Sequence, residues 1–418
     1  MIFKKDLCNG KNRASGIKYK TTFMNTLYKL FASCLFIIGA MTLMYSKKPP
    51  VKQKGANTIS SPQLANPHRQ KKVQIAVLLD VSNSMDGLIG QAKAQLWNMV
   101  SVLGKATCND VAPTVEIALY EYGRPSNDAK AGYVKQINYF TRDLDEVSRN
   151  LFRLTTNGGD EYCGHVMYTS LTSLEWDSNP DDYKVIFIAG NEDFLQGDIS
   201  YTQACAEAKK KGVIINTIYC GDRNQGIREH WNLGSECGTG SFTNINQNAE
   251  MIDVATPYDT ILFQLNIQLN GTYIGYGQTG RASMAKQEEV DKMNYGMNKA
   301  AAAKRVSVKG KTQLYNNSSW DLVDASQADP AIVEKVDLNT LPASLKSKSR
   351  AEIKQIVITK SNERTAIQKQ IATVSAKRET YLASEKAKQS TKTNEQTLET
   401  EIEKIIRQQA KKYNLVIQ

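Results

Sequence analysis

The distribution of apolar residues along the chain predicts a sheet domain built from strands and helices in alternation. Short, continuously apolar runs at 73–80, 184–190 and 212–220 are typical of strands that are buried on both faces of a parallel sheet. We expect further strands at 115–120 and, at an edge, 134–137. Apolar residues spaced three and four apart predict five helices, at 87–105, 144–154, 166–174, 202–211 and 249–269. The pattern indicates an α/β domain over 73–270, with a doubly wound, mostly parallel sheet and helices on both faces.

Beyond residue 270 the pattern changes to that of a mainly α-helical C-terminal region. Residues 271–346 predict an irregular and helical extension, and 347–418 predict a charged helical region. In this last region the apolar residues, among them Ile353, Val357 and Ile371, are too sparse to establish a coiled coil. A coiled coil and a long helical hairpin, either docked or dimeric, both remain open.

The amino end carries a basic segment at 1–26 and an apolar segment at 27–46, followed by a polar, Pro-containing linker at 47–72. The apolar segment suits an uncleaved transmembrane anchor slightly better than a cleaved signal peptide. With the basic segment in the cytoplasm, the sequence predicts a single-pass inner-membrane protein of the cell envelope. Its C-terminal part would lie in the periplasm or outside the cell, and the alternative is secretion after signal cleavage.

Charge and cysteine usage narrow the function classes. The net charge is +11, but the central block is acidic and the two flanks are basic. A single basic face for nucleic acid is therefore disfavoured, and we expect no nucleic-acid partner. The chain has seven cysteines and no C-x-x-C motif, so a structural zinc site has no support. One or two disulfides are expected, with the pairing open among Cys108, Cys163, Cys205, Cys220 and Cys237.

The first predicted strand ends in a D-x-S-x-S motif, Asp80, Ser82 and Ser84, which leads into a helix. In a doubly wound sheet, ligands bind beyond the carboxyl ends of the strands. One carboxylate and two hydroxyls on a tight turn offer only hard oxygen ligands, which suit Mg²⁺ or Mn²⁺. The simpler alternative is that a serine caps the helix and Asp80 closes an Asx turn.

In this context the block 73–270 resembles a von Willebrand factor A (VWA) domain, whose metal-ion-dependent adhesion site, or MIDAS, carries D-x-S-x-S on its first loop. The resemblance implies a Thr ligand on a second loop and an Asp ligand on a third. Here Gly158-Gly159 is followed by Asp160 at the Thr position, with Glu161 beside it. Gly190 stands at the third-loop Asp position. The predicted metal ligands are therefore Asp80, Ser82, Ser84 and Asp160, with weaker candidates in Glu161, Glu192 and Asp193.

A narrower resemblance is to exported bacterial VWA proteins with a helical C-terminal extension. It is carried by the segments 255–259, 271–277 and 319–324, which read ATPYD, GTYIGYG and SWDLVD. Two other motifs carry little chemistry. The G-x-G-x-x-G at 275–280 follows the sheet domain and lacks a strand–helix–strand context. Cys163 and His165 fall on one helix at a spacing that does not bring them face to face.

These observations favour a protein that is not an enzyme. The first hypothesis is a membrane-tethered protein that mediates protein–protein interaction or adhesion through the modified metal site, with an acidic side chain of the partner completing the coordination of a divalent cation. The alternative is an envelope scaffold with an inert site, which forms homo-oligomers through its C-terminal helices. Light scattering of the protein and a metal-dependent melt separate the two hypotheses.

Overall fold

The three continuously apolar segments form the centre of one sheet in the computed structural model. The strand order is β4–β3–β1–β5–β6–β7, and every neighbouring pair is parallel except β3 and β4. The doubly wound α/β fold predicted from the sequence is confirmed. In chain order the strands are β1 (Lys72–Asp80), β2 (Ala106–Thr107), β3 (Thr114–Tyr122), β4 (Lys135–Thr141), β5 (Tyr183–Gly190), β6 (Ile214–Cys220), β7 (Thr239–Ile245) and β8 (Val416–Ile417).

The structure describes residues 69–246, 248, 254–389 and 398–417. The predictions for 1–26 and for almost all of the linker at 47–72 lie outside these residues. Within the described ranges, no helix is long and apolar enough to cross a bilayer. This finding contradicts the predicted single-pass placement in the inner membrane, which was based on 27–46, a segment that is also outside the described residues.

Helices cover both faces of the sheet. One face packs against α3, α4 and α6, and the other against α1, α2, α7 and α14. The described helices are α1 (Asp86–Leu103), α2 (Leu144–Arg153), α3 (Cys163–Ser173), α4 (Tyr201–Lys211), α5 (Arg223–Arg228), α6 (Trp231–Cys237), α7 (Asp259–Asn270), α8 (Gly280–Met297), α9 (Lys299–Lys309), α10 (Leu322–Ala328), α11 (Ile332–Lys335), α12 (Ala343–Lys346), α13 (Arg350–Gln389) and α14 (Leu398–Ala410).

Several features of the sheet domain differ from the sequence-based expectation, among them the short elements β2, α5 and α6, which were not predicted. Strand β7 was not predicted, because its sequence TGSFTNI is polar at an edge of the sheet. The helix predicted at 249–269 begins at Asp259 among the described residues. Pro257 lies just before this start and lacks the N–H that a preceding helical turn would need. A disulfide between Cys205 and Cys237 links α4 to the end of α6.

The C-terminal helices pack inside the molecule. Ile353 and Val357 of α13 are buried in a cluster with the extension, and Ile371 joins the main core. Helix α14 lies against α1 and β7, and its Ile402 and Ile406 belong to the same core as β1. Strand β8 pairs antiparallel with β2. Many of the sparse apolar residues in the described part of the tail are therefore used within the chain.

Buried ion pairs attach the extension to the sheet domain. The Arg305 guanidinium lies 2.5 Å from a carboxylate oxygen of Asp145 in α2 and 2.6 Å from one of Asp291 in α8. Lys309, fully buried, lies 2.9 Å from Asp291. These distances join α2 of the sheet domain to α8 and α9 of the extension through charges that compensate one another.

Helix α13 is attached in the same way. Arg364 is 2% exposed and lies 2.6 Å from Asp321 and 2.5 Å from Asp324. Further along α13, Arg378 lies 2.7 Å from Asp259 at the start of α7. A buried ion pair is costly to break, because the remaining charge stays buried without a partner. The pairs therefore fix the register of α13 against α7 and α10.

Candidate metal site

The D-x-S-x-S motif lies where β1 ends, at the carboxyl edge of the sheet. Asp80 is the last residue of β1 and is fully buried, and its Oδ1 accepts a hydrogen bond of 2.7 Å from the backbone N–H of Ser82. This is the Asx turn that the sequence predicted. The hydroxyl oxygens of Ser82 and Ser84 lie 3.3 Å apart, and neither serine caps α1 through its side chain. Because neither hydroxyl is used to cap the helix, both are available for another role.

The second loop brings a carboxylate to Asp80, but it is Glu161 rather than Asp160. The loop is tied to the first one by a 2.8 Å hydrogen bond from the backbone N–H of Asn157 to the carbonyl of Val81. Glu161 is only 7% exposed, whereas Asp160, the residue predicted from the motif position, is exposed to solvent. Asp160 is the less favourable ligand, because it is not held against the first loop.

Gly123 shows how closely the two carboxylates approach each other. It follows β3 with φ of +82°, and a Cβ built on it would lie 3.0 Å from Asp80 Oδ1 and 2.9 Å from Glu161 Cγ. A side chain at this position would be strained by the backbone angle and would displace one of the two acids. Gly123 therefore provides the space in which Asp80 and Glu161 come together.

The third loop has a glycine, Gly190, at the position where the family resemblance implies an Asp, so it offers no side chain there. Gly190 ends β5, and a Cβ on it would lie 2.6 Å from the hydroxyl oxygen of Tyr122 and 3.0 Å from Asp80 Oδ2. Tyr122 is held there by donating a 3.0 Å hydrogen bond to the carbonyl of Ala189. A third-loop carboxylate has no room unless Tyr122 moves. The next residue, Asn191, accepts a 3.3 Å hydrogen bond from the Ser84 hydroxyl.

The two weaker third-loop candidates differ in their surroundings. Glu192 is exposed, but its charge acts on both Asp80 and Glu161. Asp193 Oδ1 lies 3.1 Å from His230 Nδ1 and accepts a 2.9 Å hydrogen bond from the backbone of Leu195. The structure thus encloses Asp80 and Glu161 near Ser82 and Ser84, with Asp160 and Glu192 exposed to solvent nearby.

Electrostatics mark the Asp80–Glu161 pair as unusual. Burial raises the pKa of Asp80 to about 7. The hydrogen bonds from Ser82 lower this pKa, and the negative charge of Glu192 raises it further. The pKa of Glu161 is also raised, to about 8. Burial is the largest cause, and the negative charges of Asp80, Glu192 and Asp160 add to the rise. No basic group is among the main causes of either shift. Asp80 Oδ2 is buried with no hydrogen-bond partner among the described residues.

A hard divalent cation fits this donor set. Two carboxylates supply the charge, and the hydroxyls of Ser82 and Ser84 are neutral oxygen donors next to them. The orphaned Oδ2 of Asp80 is the kind of buried polar atom that is normally paired. Across the described residues, no group of three or more His, Cys, Asp and Glu side chains is arranged to hold a metal. The fit therefore rests on two carboxylates, with the remaining coordination positions left to hydroxyls, water or a partner.

The buried thiols around the site are not arranged for nucleophilic catalysis. Cys163 Sγ lies 3.8 Å from the Tyr122 hydroxyl, and burial raises its pKa strongly, so the thiol is protonated at neutral pH. Burial likewise raises the pKa of Cys220. The G-x-G-x-x-G segment runs from the connection after α7 to Gly280, the first residue of α8, and Gly275 pairs with Asp321 rather than closing a strand–helix turn.

Sequence reasoning named both adjacent acids but could not show that Glu161 is the one buried beside Asp80. Asp160 aligns with the motif position, and nothing in the local pattern distinguishes it from Glu161. The one available signal was the glycine after β3, because Gly123 is the residue against which Glu161 packs. The contribution of Tyr122, which fills the third-loop position, could not be inferred because it depends on the pairing of β3 with β1.

No protein-family model and no curated protein matches the sequence. Among solved structures, similarity is found to a von Willebrand factor type A protein from Catenulispora acidiphila, with 13% identity over 42% of this chain and 39% of that chain and a TM-score of 0.32. The SpRpn10 VWA domain has 15% identity over 43% of this chain and 90% of its own, with a TM-score of 0.32. The mussel byssus proximal thread matrix protein 1, with a zinc-occupied MIDAS motif, has 14% identity over 42% of each chain and a TM-score of 0.32. The similar region is thus less than half of this chain.

Proposed function

We propose that the carboxyl edge of the sheet is a divalent-cation-dependent site for protein–protein interaction. The carrying observation is the fully buried Asp80, whose Oδ2 has no hydrogen-bond partner among the described residues and which lies close to a second buried carboxylate, Glu161. Asp80 and Glu161 would hold the cation, and the hydroxyls of Ser82 and Ser84 would complete the protein's share of ligands. Mg²⁺ and Mn²⁺ are the ions that suit this oxygen-only set.

The residues around the pair favour binding over catalysis. A bound cation would supply positive charge and an open coordination position at the surface. Ser84 is exposed and lies on the solvent side of the motif, so a partner group approaches past it. An acidic side chain of the partner suits that position, because the site itself has no third carboxylate. The nearest buried nucleophile, Cys163, is a protonated thiol.

Two matched variants test cation binding in the full chain. Titration calorimetry with Mn²⁺ alone is expected to show one binding event in the wild type and none in Asp80→Asn. Glu334→Gln removes an exposed carboxylate that forms no side-chain hydrogen bond or ion pair with any described residue, and it should bind Mn²⁺ as the wild type does. Equal Mn²⁺ binding by the wild type and Asp80→Asn would overturn the proposed ligand set.

The partner chemistry is tested separately. Short peptides with one central Asp are compared with the same peptides carrying Asn, each in the presence of Mn²⁺ and of EDTA. The proposal expects binding only for the Asp peptides and only with Mn²⁺. Binding that persists in EDTA would mean that the edge recognises peptides without a cation, which contradicts the proposal.

A further inference from the structure

A second cleft lies where the extension meets the opposite edge of the sheet. It has a volume of about 430 Å³ and is formed between the end of β4 and the loop that precedes α10. Its lining combines two aromatic residues, Phe140 and Trp320, with Arg142, Asn317 and Ser319. A volume of this size is within the range of small-molecule sites.

The acceptor groups of the cleft are already engaged. Glu116 accepts a 2.9 Å hydrogen bond from Gln74 and lies 3.6 Å from Lys72. Asp143 caps α2 through Oδ1, and its Oδ2 lies 2.5 Å from Lys286. The two carboxylates of the cleft are thus neutralised by neighbouring lysines and offer little to a cationic ligand.

The donor groups are not engaged. The Arg142 guanidinium is exposed and forms no ion pair or hydrogen bond with any described residue. Asn317 Nδ2 is buried and has no partner in the described part of the chain, although its backbone N–H is fixed by a 2.8 Å bond to Asp324. An amide donor in this state is incompletely satisfied until a ligand or water supplies an acceptor.

Because the carboxylates of the cleft are paired and the donors of Arg142 and Asn317 are not, we infer that the cleft binds a small organic anion that carries a carboxylate or phosphate group. The Arg142 guanidinium would donate to the oxyanion, because guanidinium pairs well with both groups. Asn317 would add a second donor by turning its unpaired Nδ2 toward the cleft. The apolar body of the ligand would lie beside Phe140 and Trp320, whose rings are kept in place by Trp176 and Tyr273. This site is independent of the cation site at the carboxyl edge.

Ligand-observed NMR on the full chain tests the inference with three probes: benzoate, phenyl phosphate and benzamide. Benzoate or phenyl phosphate should bind, and neutral benzamide should not. Binding of only one of the two anions supports the site and identifies which oxyanion it takes. Arg142→Gln should weaken anion binding at least tenfold, whereas Arg281→Gln, which removes another exposed arginine without side-chain contacts, should leave it unchanged. No binding of either anion at millimolar concentration, or equal binding by Arg142→Gln, would overturn the inference.

Discussion

Two regions of this molecule contrast in how their buried carboxylates are compensated. Where the C-terminal helices pack on α7 and on one another, Asp291, Asp321 and Asp259 each lie within 3 Å of an arginine or lysine nitrogen. At the carboxyl edge of the sheet, Asp80 and Glu161 lie side by side with no basic partner among the described residues. The same residue type is therefore structural in one region and available for a ligand in the other.

The pKa shifts of Asp291 and Asp80 have opposite directions. Lys309 and Arg305 lower the pKa of Asp291 far below its usual value, in spite of its burial. Burial raises the pKa of Asp80, because no positive charge opposes it. A carboxylate that is paired stabilises the fold when ionised, and one that is unpaired destabilises it. The comparison teaches that the Asp80–Glu161 pair lacks a positive charge of the kind that Arg305 and Lys309 supply to Asp291.

The largest expected effect concerns the tail. A chain that ends after residue 397 lacks α14 and β8 and uncovers the core residues that pack on Ile402 and Ile406. We expect the loss of a cooperative thermal transition, measured by circular dichroism. As a smaller step, Ile406→Ala should cost about 2–5 kcal/mol. Lys404→Ala, at an exposed position of the same helix, should stay within about 0.5 kcal/mol. An unchanged melting temperature of the shortened chain would mean that α14 is not part of the core.

The next largest effect concerns a buried ion pair. Arg364→Met leaves Asp321 and Asp324 buried without their cation, and it should lower the free energy of unfolding by about 3–5 kcal/mol in urea denaturation. Lys360→Met replaces a more exposed cation of the same helix and should change stability by less than about 1 kcal/mol. Similar effects of the two substitutions would remove the contrast between the regions.

A smaller effect is expected at Gly190. Because an added methyl group would meet Tyr122 and Asp80, Gly190→Ala should cost about 1–3 kcal/mol. Gly90→Ala, in α1, meets no atom within 4 Å and should instead gain about 0.5–1 kcal/mol. Both values are read from urea denaturation. A neutral Gly190→Ala would show that this loop has room for a side chain, as the family resemblance implies.

The sequence pattern predicted the elements of the fold best where a strand is buried along its whole length. Strands β1, β5 and β6 are apolar on both faces and were predicted nearly to their ends, whereas β7 alternates with polar residues at an edge. The docking of α14 could not be predicted, since Ile402 and Ile406 look like one stripe of any amphipathic helix. At the site, Asp80 follows from the motif, but the choice of Glu161 depends on how the loop packs against Gly123.

The most direct test of the central claim is the pH dependence of the unfolding free energy of the full chain, in EDTA and in Mn²⁺. Burial raises the pKa of Asp80 from 3.8 to about 7 in the folded state. Between these pH values the folded state therefore keeps a proton on Asp80 that the unfolded state has lost. Stability should therefore fall as pH rises from about 4 to about 7 in EDTA, relative to Asp80→Asn, by roughly 2–4 kcal/mol.

With saturating Mn²⁺ the account predicts that this fall disappears, and that the wild type becomes more stable than Asp80→Asn at pH of about 8. Parallel pH profiles of the wild type and Asp80→Asn in both EDTA and Mn²⁺ would contradict the account, because Asp80 would then be neither an uncompensated buried charge nor a cation ligand.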